Sequence, residues 1–330
     1  MLLSKSLCHG GIYILSVVSF LIVAPLGRQV TFAQDTRQPG INTPIEELTS
    51  GVIDNRRIYN TFVNRGRRLI TDEPELDSKD IRKKVDQAPS RLAVSLPEVA
   101  TIGSDDFYDR MRKASVMVGS LYDCGRCKNL HGNISGGVVI SQDGLVLTNH
   151  HVLKRKEDEK VQGMVVMNHL GQCFAIEQVL AAWESADVAL IKIKSGEKFD
   201  PVPLAISNPK PLSEVVVMSH PHNEFFVVTT GLASRLTKPT MEGDSNTWLE
   251  ITAEFSGGSS GSGVFNSQGE LVGLVSRIHP MFREQEKSDR SRKTEGASDP
   301  PESLGGRLVY PEQILRRCVP IESIRKMLTP

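Results

Sequence analysis

From Ser115 onward the chain is a succession of short β-branched runs, each closed by turn residues. Ser115–Leu121 is the first, and Gly137–Ser141 and Leu145–Thr148 follow on either side of an Asp143-Gly144 turn. Gln162–Met167, Gln172–Leu180, Asp187–Lys194, Glu214–Ser219, Phe225–Leu236, Thr247–Phe255 and Glu270–Ile278 continue the series. Strands this short, with turn signals roughly every 8–12 residues, pack as an all-β barrel or sandwich. A helix over Asp105–Lys113 opens this domain and another over Pro320–Leu328 closes it. Met281–Arg307 is charged and nearly free of apolar residues, so it reads as a mobile surface loop.

The segment before the domain reads differently. Residues 34–104 form a polar extension or linker, irregular and punctuated by prolines, with one short helix near Asp77–Val85 and no motif. Residues 1–33 have the layout of an export signal: Lys5, an apolar run over Ile12–Ala24, Pro25, then Thr31-Phe32-Ala33 as a cleavage site. That run rises only about 20 Å as a helix, short of a hydrocarbon core of roughly 30 Å. The expectation is an exported protein, periplasmic or extracellular, with no stable membrane span once the signal is cleaved. An uncleaved N-terminal anchor is the alternative. Acidic and basic residues balance at 39 each, so bulk charge points neither to nucleic acid nor to a membrane surface.

Chemistry concentrates in three places. Thr148-Asn149-His150-His151-Val152 and Asp187-Val188-Ala189-Leu190 each adjoin a strand-like run, and Gly257-Gly258-Ser259-Ser260-Gly261-Ser262-Gly263 follows them. A serine hydroxyl needs a base within hydrogen-bond reach, and that base needs a carboxylate to hold one tautomer. It also needs backbone N–H groups aimed at the oxyanion, which glycines around the serine allow. Histidine, aspartate and a glycine-cradled serine in this order read as a serine hydrolase. The Gly257–Gly261 run also fits the G-x-S-x-G elbow around Ser259, but that elbow requires a following helix and the order Ser, Asp, His. Here a turn and strand follow, and the order is His, Asp, Ser. Ser262, between two glycines, is the remaining rival nucleophile.

From about Asp105 to Pro330 the chain resembles a chymotrypsin-fold serine protease of the HtrA/Deg-like branch. Gly137–Val152 is similar to that branch's G-x-V-I-x-x-x-G-x-x-x-T-N-x-H-V pattern, which puts the histidine at His151. Asp187–Ile193 is similar to its aspartate motif and Gly258–Ser262 to its serine motif. The resemblance implies two six-stranded antiparallel β-barrels with a C-terminal helix. It also implies an endopeptidase acting on protein or peptide substrates, with no cofactor, and leaves an oligomer open. His151, Asp187 and Ser260 would be catalytic, and the Gly258 and Ser260 N–H groups would form the oxyanion hole. The strand at Val275-Ser276-Arg277 would bind substrate, and Glu254 would floor the specificity pocket. The branch often carries a PDZ domain after the protease, and none is expected here. The reading from another class is a catalytically silent scaffold that keeps the barrels to bind peptides or a partner protein.

Cys124-Gly125-Arg126-Cys127 stands apart from this pattern. A C-x-x-C pair is a redox dithiol, a local disulfide or two zinc ligands. His131 and Cys173 would complete a Cys₃His zinc site. Export favours disulfides among Cys124, Cys127, Cys173 and Cys318 over a structural zinc. His220 and His222 are expected on the surface of an interbarrel loop.

Overall fold

The computed structural model describes residues 40–46, 48–49, 51–73, 78–96, 107–154, 161–238, 246–281 and 311–329. The expected signal at 1–33 lies outside these residues, as does the expected loop at 281–307 beyond Met281.

Three helices precede the strands: α1 (Asn55–Asp72), α2 (Ser78–Gln87) and α3 (Phe107–Ala114). The first sheet comprises β1 (Ser115–Asp123), β2 (Leu130–Val139), β3 (Leu145–Thr148), β4 (Val161–Met167), β5 (Cys173–Phe174), β6 (Ile176–Trp183) and β7 (Val188–Ile193). A one-turn helix, α4 (His150–Leu153), follows β3. The strand order is β5-β4-β1-β2-β3-β7-β6. Ala175 alone separates β5 from β6, so the two ends of the sheet return to one bent stretch of chain. The second sheet closes as a six-stranded barrel: β8 (Glu214–Ser219), β9 (Val227–Thr237), β10 (Trp248–Ile251), β11 (Gly263–Phe265), β12 (Leu271–Met281) and β13 (Gln313–Pro320). α5 (Ile321–Leu328) then buries Ile321, Ile324, Met327 and Leu328. The all-β architecture of two barrels therefore stands, with the first one open and bent.

Two strands were hidden by their polar residues. β13 carries Arg316 and Arg317, which break apolar alternation. Each finds an acid on or just after the neighbouring strand β10: Arg317 Nε donates to Glu250 at 3.1 Å, and Arg316 donates to Glu254 at 3.1 Å. The first half of β2, with His131 and Asn133, is half-buried along β1 and lacks an apolar alternation.

The N-terminal extension is not irregular over its described residues. Asp54 caps α1 by accepting from the Arg57 N–H at 2.9 Å. One face of α1 buries Ile58, Phe62, Arg65, Gly66 and Leu69 at helical spacing. An arginine and a glycine stand inside that stripe, which is why the sequence reads as polar. Arg65 Nη1 donates to the carbonyls of Thr43 and Gly171, each at 2.7 Å. Further on, the Leu92 and Val94 N–H groups donate to Met327 and Leu328 at the end of α5. The extension is thus tied both to the first sheet and to the last helix.

Candidate active site

The site is assembled where β3 runs into α4, at the turn before β7, and in the loop before β11. Asn149 begins α4 and donates from Nδ2 to the Asp187 carbonyl at 2.9 Å, binding the first two segments together. Two adjacent histidines then face opposite ways. His150 is buried, and burial lowers its pKa and keeps its ring neutral. His151 keeps about half of its side chain exposed at 50%.

Asp187 is buried and sits at φ +54, in the left-handed region that aspartate tolerates better than most residues. Its carboxylate accepts the His151 backbone N–H at 3.2 Å and lies 2.9 and 3.0 Å from His151 Nδ1. The Ser276 hydroxyl also donates to Asp187 Oδ2. Burial opposes ionisation of this carboxyl, but the donors from His151 and Ser276 outweigh it and hold its pKa below the usual carboxylate range. With Nδ1–H directed at Asp187, the His151 Nε2 lone pair faces Ser260 Oγ at 3.0 Å.

The neighbouring serines are excluded from this chain by position. Ser259 Oγ is buried and donates to Ser219 Oγ at 3.2 Å. Ser262 Oγ is buried against Gly136, where an added Cβ would come within 2.2 Å of it, and it has no hydrogen-bond partner among the described residues. Several amides of the loop are engaged: Ser259 N–H by Ser256, Gly261 N–H by Val275, and Ser262 N–H by Ser259. Among the described residues no acceptor faces the Gly258 or Ser260 N–H. Gly258 lies at φ +92, and a Cβ there would stand 2.7 Å from the His220 carbonyl. Only glycine permits both features.

Other expected residues fall elsewhere. Ser276 is buried, and its side chain turns to Asp187 rather than into a pocket, while its carbonyl lies 3.3 Å from Ser260 Oγ. That contact joins residues distant in sequence, and no local pattern marks it. Arg277 stacks on Trp248 at 4.3 Å from the ring centroid. Glu254 does not form a buried acidic floor: its side chain is 79% exposed and ion-paired with Arg316. Turning outward from the edge of the strand satisfies its charge in water, which a pocket floor would not do unaided. His220, expected on the surface, is 1% exposed. Its Nδ1 accepts from the Phe226 N–H at 3.2 Å and its ring bonds the Val116 backbone on β1, so a polar ring is accommodated in the interior. His222 is exposed, as expected.

All four described cysteines are free thiols. Cys173 and Cys318 are buried, and burial pushes the Cys173 thiol up to about 12. Cys173 lies in β5 beside Arg65 and takes no part with Cys124, Cys127 and His131, correcting the four-ligand expectation. The register explains this: β1 pairs Tyr122 with His131 at the hairpin end, whereas β5 borders Met167 of β4.

A family profile described as "Trypsin-like peptidase domain" matches residues 135–274. The chain is 33% identical over 143 residues to "Serine protease HTRA1" of Xenopus laevis, covering 42% of this chain and 30% of that protein. It is 27% identical over 175 residues to "Serine endoprotease DegS" of Escherichia coli, covering 50% and 46% respectively. It is 24% identical over 144 residues to "Probable periplasmic serine endoprotease DegP-like" of Hahella chejuensis, covering 43% and 29%. The chain thus spans less than half the length of these curated relatives. The profile match encloses His151, Asp187 and Ser260, and over residues 135–274, set within two β-barrels, the chain is similar to trypsin-like, HtrA-type serine proteases.

Proposed function

We propose that this chain is an exported serine endopeptidase that hydrolyses peptide bonds through an acyl-enzyme. The observation that carries this reading is the hydrogen-bonded series Asp187, His151 and Ser260, with two unengaged N–H groups beside the hydroxyl. Ser260 Oγ attacks the scissile carbonyl carbon while His151 Nε2 takes its proton. The oxyanion rests against the Gly258 and Ser260 N–H groups. Asp187 remains ionised and stabilises the imidazolium. His151 then gives the proton to the leaving amine as the C–N bond breaks, and water activated by His151 frees the acyl group. No cofactor enters these steps.

The substrate backbone adds along β12 at Ser276 and Arg277. β11 pairs with β12 only as far as Leu274, which supports an open edge there. Export is supported by the signal-like residues 1–33 and by the periplasmic designation of the DegP-like relative. Among the described residues no helix is long and apolar enough to cross a membrane.

A serine-directed fluorophosphonate probe, applied to the purified chain and to Ser260→Ala, tests the reading. Labelling of the parent and its loss in the variant are expected. Labelling that persists in Ser260→Ala moves the nucleophile elsewhere. An unlabelled parent favours the silent peptide-binding scaffold.

A further inference from the structure

The β1–β2 hairpin ends in a cluster that the peptidase chemistry does not use. Cys124 Sγ and Cys127 Sγ lie 3.5 Å apart, and His131 Nε2 lies 3.1 Å from Cys127 Sγ. The three ligand atoms all fall within 4.8 Å of one another. A tetrahedron with Zn–S near 2.3 Å and Zn–N near 2.0 Å has edges of about 3.5–3.8 Å, and the Cys124–Cys127 and Cys127–His131 separations each lie within about half an ångström of such an edge.

The hairpin is built to hold that arrangement. Gly125 adopts φ +68 and its N–H donates to Asp123 Oδ1 at 2.7 Å, folding the intervening residues so that both sulfurs face one side. The His131 ring packs on Tyr122, its cross-strand partner, with centroids 5.6 Å apart.

The geometry points to a zinc site formed by Cys124, Cys127 and His131, with its fourth vertex open to solvent beside the exposed Cys127. Two thiolates and an imidazole match zinc's preference for sulfur and nitrogen. On binding, Zn²⁺ displaces the two thiol protons to solvent and accepts the lone pair of His131 Nε2, with no redox change. A Cys124–Cys127 disulfide is the competing arrangement, and it gives the converging imidazole nothing to bind. The far end of β2 bears on the peptidase site: the Gly136 N–H donates to the Ser260 carbonyl at 2.7 Å. The zinc therefore pins one end of the strand whose other end supports the Ser260 loop.

The test is cobalt(II) titration of the full purified chain, with metal analysis and non-reducing intact mass on the same preparation. A single equivalent of zinc, a thiolate-to-cobalt charge-transfer band, and loss of both in Cys127→Ser and His131→Ala are expected. Far-UV circular dichroism of each variant should match the parent, since both residues lie outside the core. A thiolate-to-cobalt band in His131→Ala equal to the parent's overturns the site. So does a parent chain that binds no metal and has lost two hydrogens in mass to a disulfide.

Discussion

At the scale of single residues, a long-range contact that no motif announces belongs to Ser276. Its hydroxyl reaches Asp187 across 89 positions of sequence and helps hold that buried carboxylate ionised. We assign it a positioning role, because it touches the aspartate and not the scissile bond. A hydrogen bond to a charged group is worth about 1.5–3 kcal/mol. Ser276→Ala should therefore lower kcat of peptide cleavage about ten- to a hundredfold, with KM unchanged because the backbone edge remains. A rise in KM with kcat preserved would show that the side chain serves substrate binding instead. At the same scale the structure brings three expected residues together. His151, Asp187 and Ser260 stood in motifs whose spacing needed no knowledge of packing. Glu254 failed at the same scale, because whether a carboxylate points inward or outward depends on a strand, β13, that lies far along the chain.

At the scale of elements, α1 shows how a packed helix can pass for linker. Its inward face includes Arg65, whose guanidinium bonds carbonyls of residues 43 and 171 while burial lowers its pKa. Such an arginine reads as surface charge until its acceptors are known. Removing it strands buried carbonyls, so Arg65→Leu should cost about 2–3 kcal/mol, or roughly 5–10 °C in Tm. Arg67→Leu, on the exposed face of the same helix, should leave Tm unchanged. Thermal melts of the two variants check this, and equal Tm values would mean that α1 does not support the barrels. Phe62 adds to the same interface: it is 0% exposed and packs against Gly119 of β1, where an added Cβ would meet its ring at 2.9 Å. Helix α2 and the β2–β3 hairpin around its Asp143-Gly144 turn, by contrast, carried local signals and were readable.

At the scale of the whole molecule, stability should depend on pH through the buried His220 and the half-buried His169. Burial pulls His220 and His169 down to about 4. An unfolded histidine titrates near 6.5. Between those values the unfolded chain binds protons that the folded chain refuses, so stability falls as pH drops. The contribution is complete above about pH 6.5 and fully lost below about pH 4. The depressed Asp187 carboxyl acts only lower, below the unfolded carboxylate range. Urea midpoints measured at several pH values should decline through this window, and less steeply in His220→Gln. A midpoint that does not move between pH 7 and pH 4.5 would refute the assignment. Protonation of His220 at Nδ1 removes the acceptor of the Phe226 N–H, so that contact is lost as the ring charges.

What the sequence determined by itself was whatever rests on short-range order. Short β-branched runs closed by turns specify strands, and three motifs mark His151, Asp187 and Ser260, the residues proposed as a nucleophile relay. The C-x-x-C spacing likewise announces a pair of sulfurs. Tertiary structure decided the rest, because burial and pairing are properties of neighbours remote in the chain. It chose Ser260 over Ser262 by placing one beside His151 and the other under Gly136. It chose His131 over Cys173 as the companion of the cysteines through the register of one hairpin. It turned a polar extension into a helix by supplying carbonyl partners for Arg65. A side chain's charge and size are written at its own position, but the medium it meets is set by the fold.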